Sequence, residues 1–279
     1  MAKKVNTRTI SKTISQLCAQ ANFNLRKDVL SALKKSYQKE NNARAKRALK
    51  AIIDNAAIAR REKIAICQDT GLPVMFVELG RNVQIIGDLK QAINKGIELG
   101  YKTASLRNSI IADPLNRGKS KFAPAVIHLN LVKGNKLKLT VLPKGFGCEN
   151  KSQLKMFNPT AKIEDIKKFI VDAVKAAGPD ACPPYVIGIG IGGTADLANL
   201  IAKKSLLRSV GKHNAQKRTS NLEKELLSKI NQLNIGPMGL GGKTTALVVN
   251  IETFPTHIAG LPVAVNISCH ALRSATKIL

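Results

Sequence analysis

Cys67, Cys182 and Cys269 stand in the stretches ICQDTGLP, DACPPYV and NISCHALR, far apart in the chain and none in a C-x-x-C pair. That spacing excludes a zinc ribbon and a ferredoxin-type run, whose ligands come in close pairs. Two readings remain. Loops distant in sequence can meet around a cluster, and three thiolates on a cubane leave one iron without a protein ligand, able to polarise an oxygen as a Lewis acid. Taken singly, each cysteine also reads as a small buried hydrophobe, and spacing alone leaves both readings open. The remaining two are Cys18, between helical apolar positions and therefore core, and Cys148, in PKGFGCENKS. Five cysteines scattered in this way are no disulfide framework.

Two glycine-rich stretches carry other chemistry in outline only. In PMGLGGKTTALVVNI, residues 237–251, Gly242-Lys243-Thr244 resembles the end of a phosphate-binding loop. The glycine such a loop needs five positions earlier is Pro237, a helical run precedes the stretch, and a strand-like run follows it. The order is inverted, so nucleotide binding fails on spacing and on context. Gly188, Gly190 and Gly193 satisfy G-x-G-x-x-G between a strand and a helix. No second βαβ unit follows, and no acidic residue stands about 20 residues on to hold a ribose. What survives is physical: these glycines let the backbone approach something closely.

The elements that must position these residues alternate between helical and strand periods. Residues 8–62 read as helical, with Ala45, Ala48, Leu49, Ile52, Ile53 and Ala56 on one face and breaks at NFN and ENN. AICQDTGLPVMFVELG changes from a polar tight turn to a strand. Asp88 can cap a helix carrying Leu89, Ile93 and Ile97, with Gly100 just past its end. Over 125–142, two alternating runs flank Gly134-Asn135 and predict a hairpin with one wet face, on which His128 would be solvated. Ile166, Ile170, Ala173 and Val174 mark a further helix closed by Gly178, and 205–225 reads as an exposed basic connection. The expected class is α+β: a helical part, 1–62, packed on a mixed α/β part, 63–279, in a single domain carrying the cluster.

Apolar residues are 44 % of the 279, enough to exclude bulk disorder, and the net charge is +27. Such a field favours anionic partners, whether nucleic acid, an acidic subunit or a small polyanion. The 33 lysines outnumber 12 arginines and there is no Trp, a composition that argues against dedicated nucleic-acid reading. No apolar run approaches a membrane span, and the N-terminus lacks the apolar core of a secretory signal. Ile10, Ile14, Leu17 and Ala21 already fall at helical spacing there, so a mature cytoplasmic protein is expected.

Read in order, CQDTG at 67–71, PKGFGCENKS at 143–152, CPPYVIGIGIGG at 182–193, GLGGKTTA at 239–246 and FPTHIAGLPVAVNISCHALR at 254–273 form one pattern. It resembles the α subunit, or N-terminal catalytic region, of class I fumarate hydratases and L-tartrate dehydratases, over about residues 8–279. The resemblance implies a [4Fe–4S] cluster on Cys67, Cys182 and Cys269. It implies that Gln68 and Asp69 contact substrate, Asp69 as proton donor or relay, and that His257 lies near the substrate hydroxyl. Arg107 would clamp a carboxylate, for which its planar fork is suited, and main-chain N–H groups near Gly145 and Gly147 would add donors. Without the resemblance, Asp69 reads as a turn former, His257 as a core histidine and Arg107 as surface. Phe146 and Cys148 depart from the commoner GGGSEN form. Cys148 is expected not to be a ligand, because a fourth thiolate would fill the position substrate needs.

The implied activity is that of a hydro-lyase on a C4 dicarboxylate: fumarate to L-malate, as in the tricarboxylic acid cycle, or alternatively L-tartrate to oxaloacetate. The chain stops six residues after Arg273, where single-chain relatives continue. It is therefore expected to be the α subunit of an α₂β₂ heterotetramer whose β subunit supplies the base for the C3 proton. No specific nucleic acid and no membrane are expected as partners. A cluster-free basic binding protein on the same scaffold is the reading from another class.

Overall fold

Helical periodicity and the two polar breaks at the N-terminus become separate helices. A computed structural model describes residues 2–279, beginning with β1 (Lys3–Asn6), α1 (Thr7–Phe23), α2 (Lys27–Lys39) and α3 (Ala43–Glu62). There follow β2 (Leu72–Gly80), β3 (Val83–Ile86), α4 (Leu89–Thr103), β4 (Ile110–Asp113), β5 (Arg117–Lys121), β6 (Val126–Val132), β7 (Leu137–Lys144) and α5 (Phe146–Glu149). The chain continues through β8 (Gln153–Phe157), α6 (Ile163–Ala177), β9 (Tyr185–Gly192), α7 (Ala195–Ser205) and α8 (Lys217–Asn231). It ends with β10 (Ala246–Phe254), β11 (Leu261–Ser268) and β12 (Ala275–Ile278). Helices and strands mix throughout. The chain forms two units, one from residues 2–26, 56–146 and 273–279, the other from 27–55 and 147–272.

In the first unit a four-stranded sheet has the order β12-β7-β2-β6. Its core joins Ile10, Ile14 and Leu17 of α1, Met75 and Val77 of β2, Ile93 and Ile97 of α4, and Leu137, Leu139 and Val141 of β7. The expected hairpin does not form. β2 lies between its two strands, parallel to β6 and antiparallel to β7. The Gly134 turn crosses the end of β2, where Gly80 and Asn82 donate N–H to Lys136 O and Gly134 O, each at 3.0 Å. Alternation shows that a strand has one buried face but does not choose its neighbour. β2 buries Val74, Met75, Phe76 and Val77 in succession and so takes the centre. β6 is left at the edge with Leu129 and Leu131 exposed, and His128, expected in solvent, is half-buried and stacks on Phe76. Asp88 caps α4 as predicted, accepting from Gln91 N at 2.9 Å. Gly100 falls inside that helix rather than after it. A Cβ there would meet Ser15 O at 2.8 Å, so the glycine serves the close approach of α1.

The second unit is built on the sheet β10-β9-β11-β8, with β9 parallel to β10 and antiparallel to β11. Ile170 and Val174 of α6 and Leu226 and Ile230 of α8 pack with Ile187, Ile189, Val249, Ile251, Val265 and Ile267 of the sheet. The dinucleotide-like glycines have a packing use here. A Cβ on Gly188 or Gly190 would stand 2.1 or 2.0 Å from Ala202 O or Ala198 O of α7. The phosphate-loop resemblance resolves the same way. Gly242 N donates to Asn234 Oδ1 (2.9 Å) and Lys243 N to the buried Glu40 carboxylate (2.7 Å), so the loop's amides are occupied by the protein itself. The 205–225 stretch is not a wholly exposed connection. Its second half starts α8, and Glu223 is buried, accepting from Asn214 N (3.0 Å), Ile251 N (2.9 Å) and the Arg208 guanidinium. A charge-rich stretch hid a carboxylate that the fold desolvates and pairs.

Candidate functional site

In the first unit, the turn Cys67–Gly71 joins α3 to β2 and gathers four of the residues singled out in the sequence. Asp69 Oδ1 accepts from Gly71 N at 2.9 Å and Oδ2 from Phe146 N at 2.8 Å. The carboxylate is thus a turn former, and it also ties the turn to the start of α5. Gly71 has φ +76°, and a Cβ there would lie 2.6 Å from the Pro143 carbonyl carbon, so only glycine fits. Arg107 docks on the same turn, its N donating to Thr70 Oγ1 (3.1 Å) and Nη1 to Gln68 O (3.4 Å). The Cys67 thiol reaches Gln68 Oε1 at 3.5 Å. Gln68 and Arg107 are exposed, and Cys67 and Asp69 are half-buried. The turn therefore presents a thiol, an amide, a carboxylate and a guanidinium together.

The sequence reading missed what lies beneath this turn. Arg273 donates Nη2 to Asp69 O (2.7 Å) and Nη1 to Asn22 Oδ1 (3.2 Å), while Tyr101 OH donates to Thr70 O (3.0 Å) and Gly71 O (3.1 Å). Burial pushes the Tyr101 phenol far above its ordinary pKa, so it stays a donor. The sequence carried only a positional hint, since Asn22 falls four residues after Cys18 on the apolar face of α1, and that spacing does not disclose its partner.

The second unit holds the rest. Cys182, at φ +56°, lies in the loop before β9, three residues ahead of Tyr185, and Cys269 directly follows β11. Their segments meet, since His270 N donates to Cys182 O at 3.3 Å and His270 Nδ1 lies 3.0 Å from the same oxygen. Both thiols are half-buried. Cys148 is buried instead, with its thiol on Ala181 O at 3.4 Å, inside the hydrophobic core. Gly147 is exposed in α5, and His257 is exposed on the loop between β10 and β11. Ala259 N donates to His257 Nδ1 (3.2 Å), which leaves the neutral ring's proton on Nε2. Cys67, Gln68, Asp69 and Arg107 thus belong to one unit, and Gly147, Cys182, His257 and Cys269 to the other. Among the described residues, no three His, Cys, Asp or Glu stand close enough together to hold a metal ion. The donor chemistry still separates the five thiols: three are half-buried on connecting segments, and two are buried in helices.

A family model described as fumarate hydratase (fumerase) matches residues 11–277, nearly the whole chain. The protein is accordingly a hydro-lyase. It belongs to the fumarate hydratase family. A protein of Methanocaldococcus jannaschii provisionally named L(+)-tartrate dehydratase subunit alpha is 42 % identical over 276 residues, 96 % of this chain and 96 % of that protein. The L(+)-tartrate dehydratase subunit alpha of Escherichia coli K12 is 27 % identical over 274 residues, 97 % of this chain and 90 % of its own length. No helix among the described residues is long and apolar enough to cross a membrane.

Proposed function

We propose that this chain is the α subunit of a two-subunit, iron–sulfur hydro-lyase of the cytoplasm that interconverts fumarate and L-malate. The observation that carries the reading is the turn at 67–71, where Asp69, Gln68 and Arg107 converge beside a half-buried thiol in a chain of this family. Cys67, Cys182 and Cys269 would hold a [4Fe–4S] cluster. When bound, the cluster supplies a Lewis acid at the iron that lacks a protein ligand.

The chain's own groups divide the remaining work. Arg107 grips a substrate carboxylate through two parallel N–H bonds, and the Gln68 amide and the Gly147 main-chain N–H orient the dianion. Asp69 moves a proton to or from the C2 hydroxyl oxygen. His257, with its proton on Nε2, shares that transfer. The base for the C3 proton and further carboxylate contacts come from a β subunit in an α₂β₂ assembly, a partner supported by the relatives' names, which are those of alpha subunits.

Those same names favour a second reading, dehydration of L-tartrate to oxaloacetate. Anaerobic co-expression with the β-type partner, followed by side-by-side assay of L-malate and L-tartrate, separates the two. Iron-dependent turnover of malate over tartrate is expected. The opposite preference would establish the second reading, and cluster-loaded enzyme inert on both would refute both.

A further inference from the structure

The floor beneath the 67–71 turn includes a charged group to which no role has been given. Arg273 is 3 % exposed, and both acceptors of its Nη groups, Asp69 O and Asn22 Oδ1, are neutral oxygens. Its Nε is buried and has no hydrogen-bond partner among the described residues. Asn22 is itself fully buried, fixed by its Nδ2 donating to Cys18 O at 3.0 Å, and its main-chain oxygen accepts from Ile66 N at 3.0 Å. Taking a guanidinium out of water is costly, and two neutral acceptors do not offset it. A side chain that only tethered the turn would do so more cheaply without charge. The charge has a place to act, however. A Cβ built on Gly145 would stand 3.2 Å from Asp69 Oδ2 and 3.8 Å from Arg273 Nη2, so guanidinium and carboxylate flank one point.

We propose that Arg273 is a positioning residue for the site. It anchors the Asp69 main chain from below and sets its positive charge under the carboxylate, so that Asp69 keeps both of its main-chain N–H bonds in the pose used for proton transfer. The proposal rests on the hydro-lyase reading only for what Asp69 does; the anchoring itself is independent of it.

Hydrogen exchange of the full chain provides the direct test, because the Gly71 and Phe146 amides report the Asp69 carboxylate itself. In Arg273→Lys, which keeps the charge but loses the two-pronged geometry, both amides should exchange about tenfold faster or more while β2 and α1 keep their protection. In the holoenzyme with its β subunit, kcat on malate should fall about a hundredfold with KM changed only a few-fold, the pattern of a misplaced catalytic group. Unchanged protection at Gly71 and Phe146 in a folded variant would overturn the proposal, as would uniform loosening of the whole unit. Should Arg273→Lys not fold, Asn22→Ala, which leaves the guanidinium one acceptor, must loosen the same two amides ahead of the rest. If the amide pattern holds while the wild type turns over no hydroxy-dicarboxylate, the functional reading falls and the anchoring stands.

Discussion

Cys18 and the trio Cys67, Cys182 and Cys269 place one chemical group in opposite settings. Burial pushes the Cys18 thiol up to about 12, so at pH 8 only about one molecule in ten thousand carries the reactive thiolate there. With iron stripped by a chelator, iodoacetamide at pH 8 should modify Cys67, Cys182 and Cys269 and leave Cys18 unmodified by peptide mass; loading the cluster should protect the three. Equal labelling of the three with and without iron would remove them as ligands. The same burial predicts an alkaline limit to stability. Cys18 stays protonated in the folded chain up to about pH 12, whereas the unfolded thiol ionises from its ordinary value of 9.0. Its contribution is therefore complete below pH 9 and declines from there to pH 12, at up to about 1.4 kcal/mol per pH unit. Denaturant titrations at pH 8, 9 and 10 should show that slope, and Cys18→Ala should flatten it. At this scale Cys67, Gln68, Asp69 and Arg107, which the structure gathers on one turn, were singled out in the sequence through the family resemblance, since alone Asp69 reads as a turn former and Arg107 as surface. Arg273, Asn22 and Tyr101 were not, since a buried polar side chain declares its role only through partners that folding supplies.

Periodicity at the scale of elements told where helices and strands are and not which of them touch. The runs at 126–132 and 137–144 are both strands, yet β2 separates them. Glycines misled in a related way, because a glycine required by a neighbouring backbone looks like one required by a phosphate. Gly96 and Gly100 of α4 make the point testable. A Cβ at either would meet Ser11 O at 2.7 Å or Ser15 O at 2.8 Å of α1. Alanine at such a helix-interior position would ordinarily gain about 1 kcal/mol over glycine. Here overpacking should win and leave Gly96→Ala and Gly100→Ala net destabilised by about 1–3 kcal/mol, read as a lower urea midpoint at unchanged slope. A raised midpoint would mean that α1 and α4 are not in the close contact described.

For the whole molecule, two properties follow from sums over the chain rather than from any site. The division into units is discontinuous, with residues 27–55 joining the second unit while the segments on either side of them join the first. No shift in composition marks those crossings, because long-range contacts define a unit. Charge, by contrast, is fully legible in the sequence: +27 on 279 residues. Under the proposed function it gives a dianionic substrate a long-range pull toward the enzyme, felt over a Debye length of about 10 Å at 0.1 M salt and about 3 Å at 1 M. Raising KCl across that range should lower kcat/KM for malate by about three- to tenfold and leave kcat nearly constant, since screening acts on encounter and not on the bound complex. The same salt should weaken association with the β subunit if that partner carries complementary charge. An ionic-strength-independent kcat/KM would exclude steering and leave the lysines a solvated surface, whose role is then solubility alone.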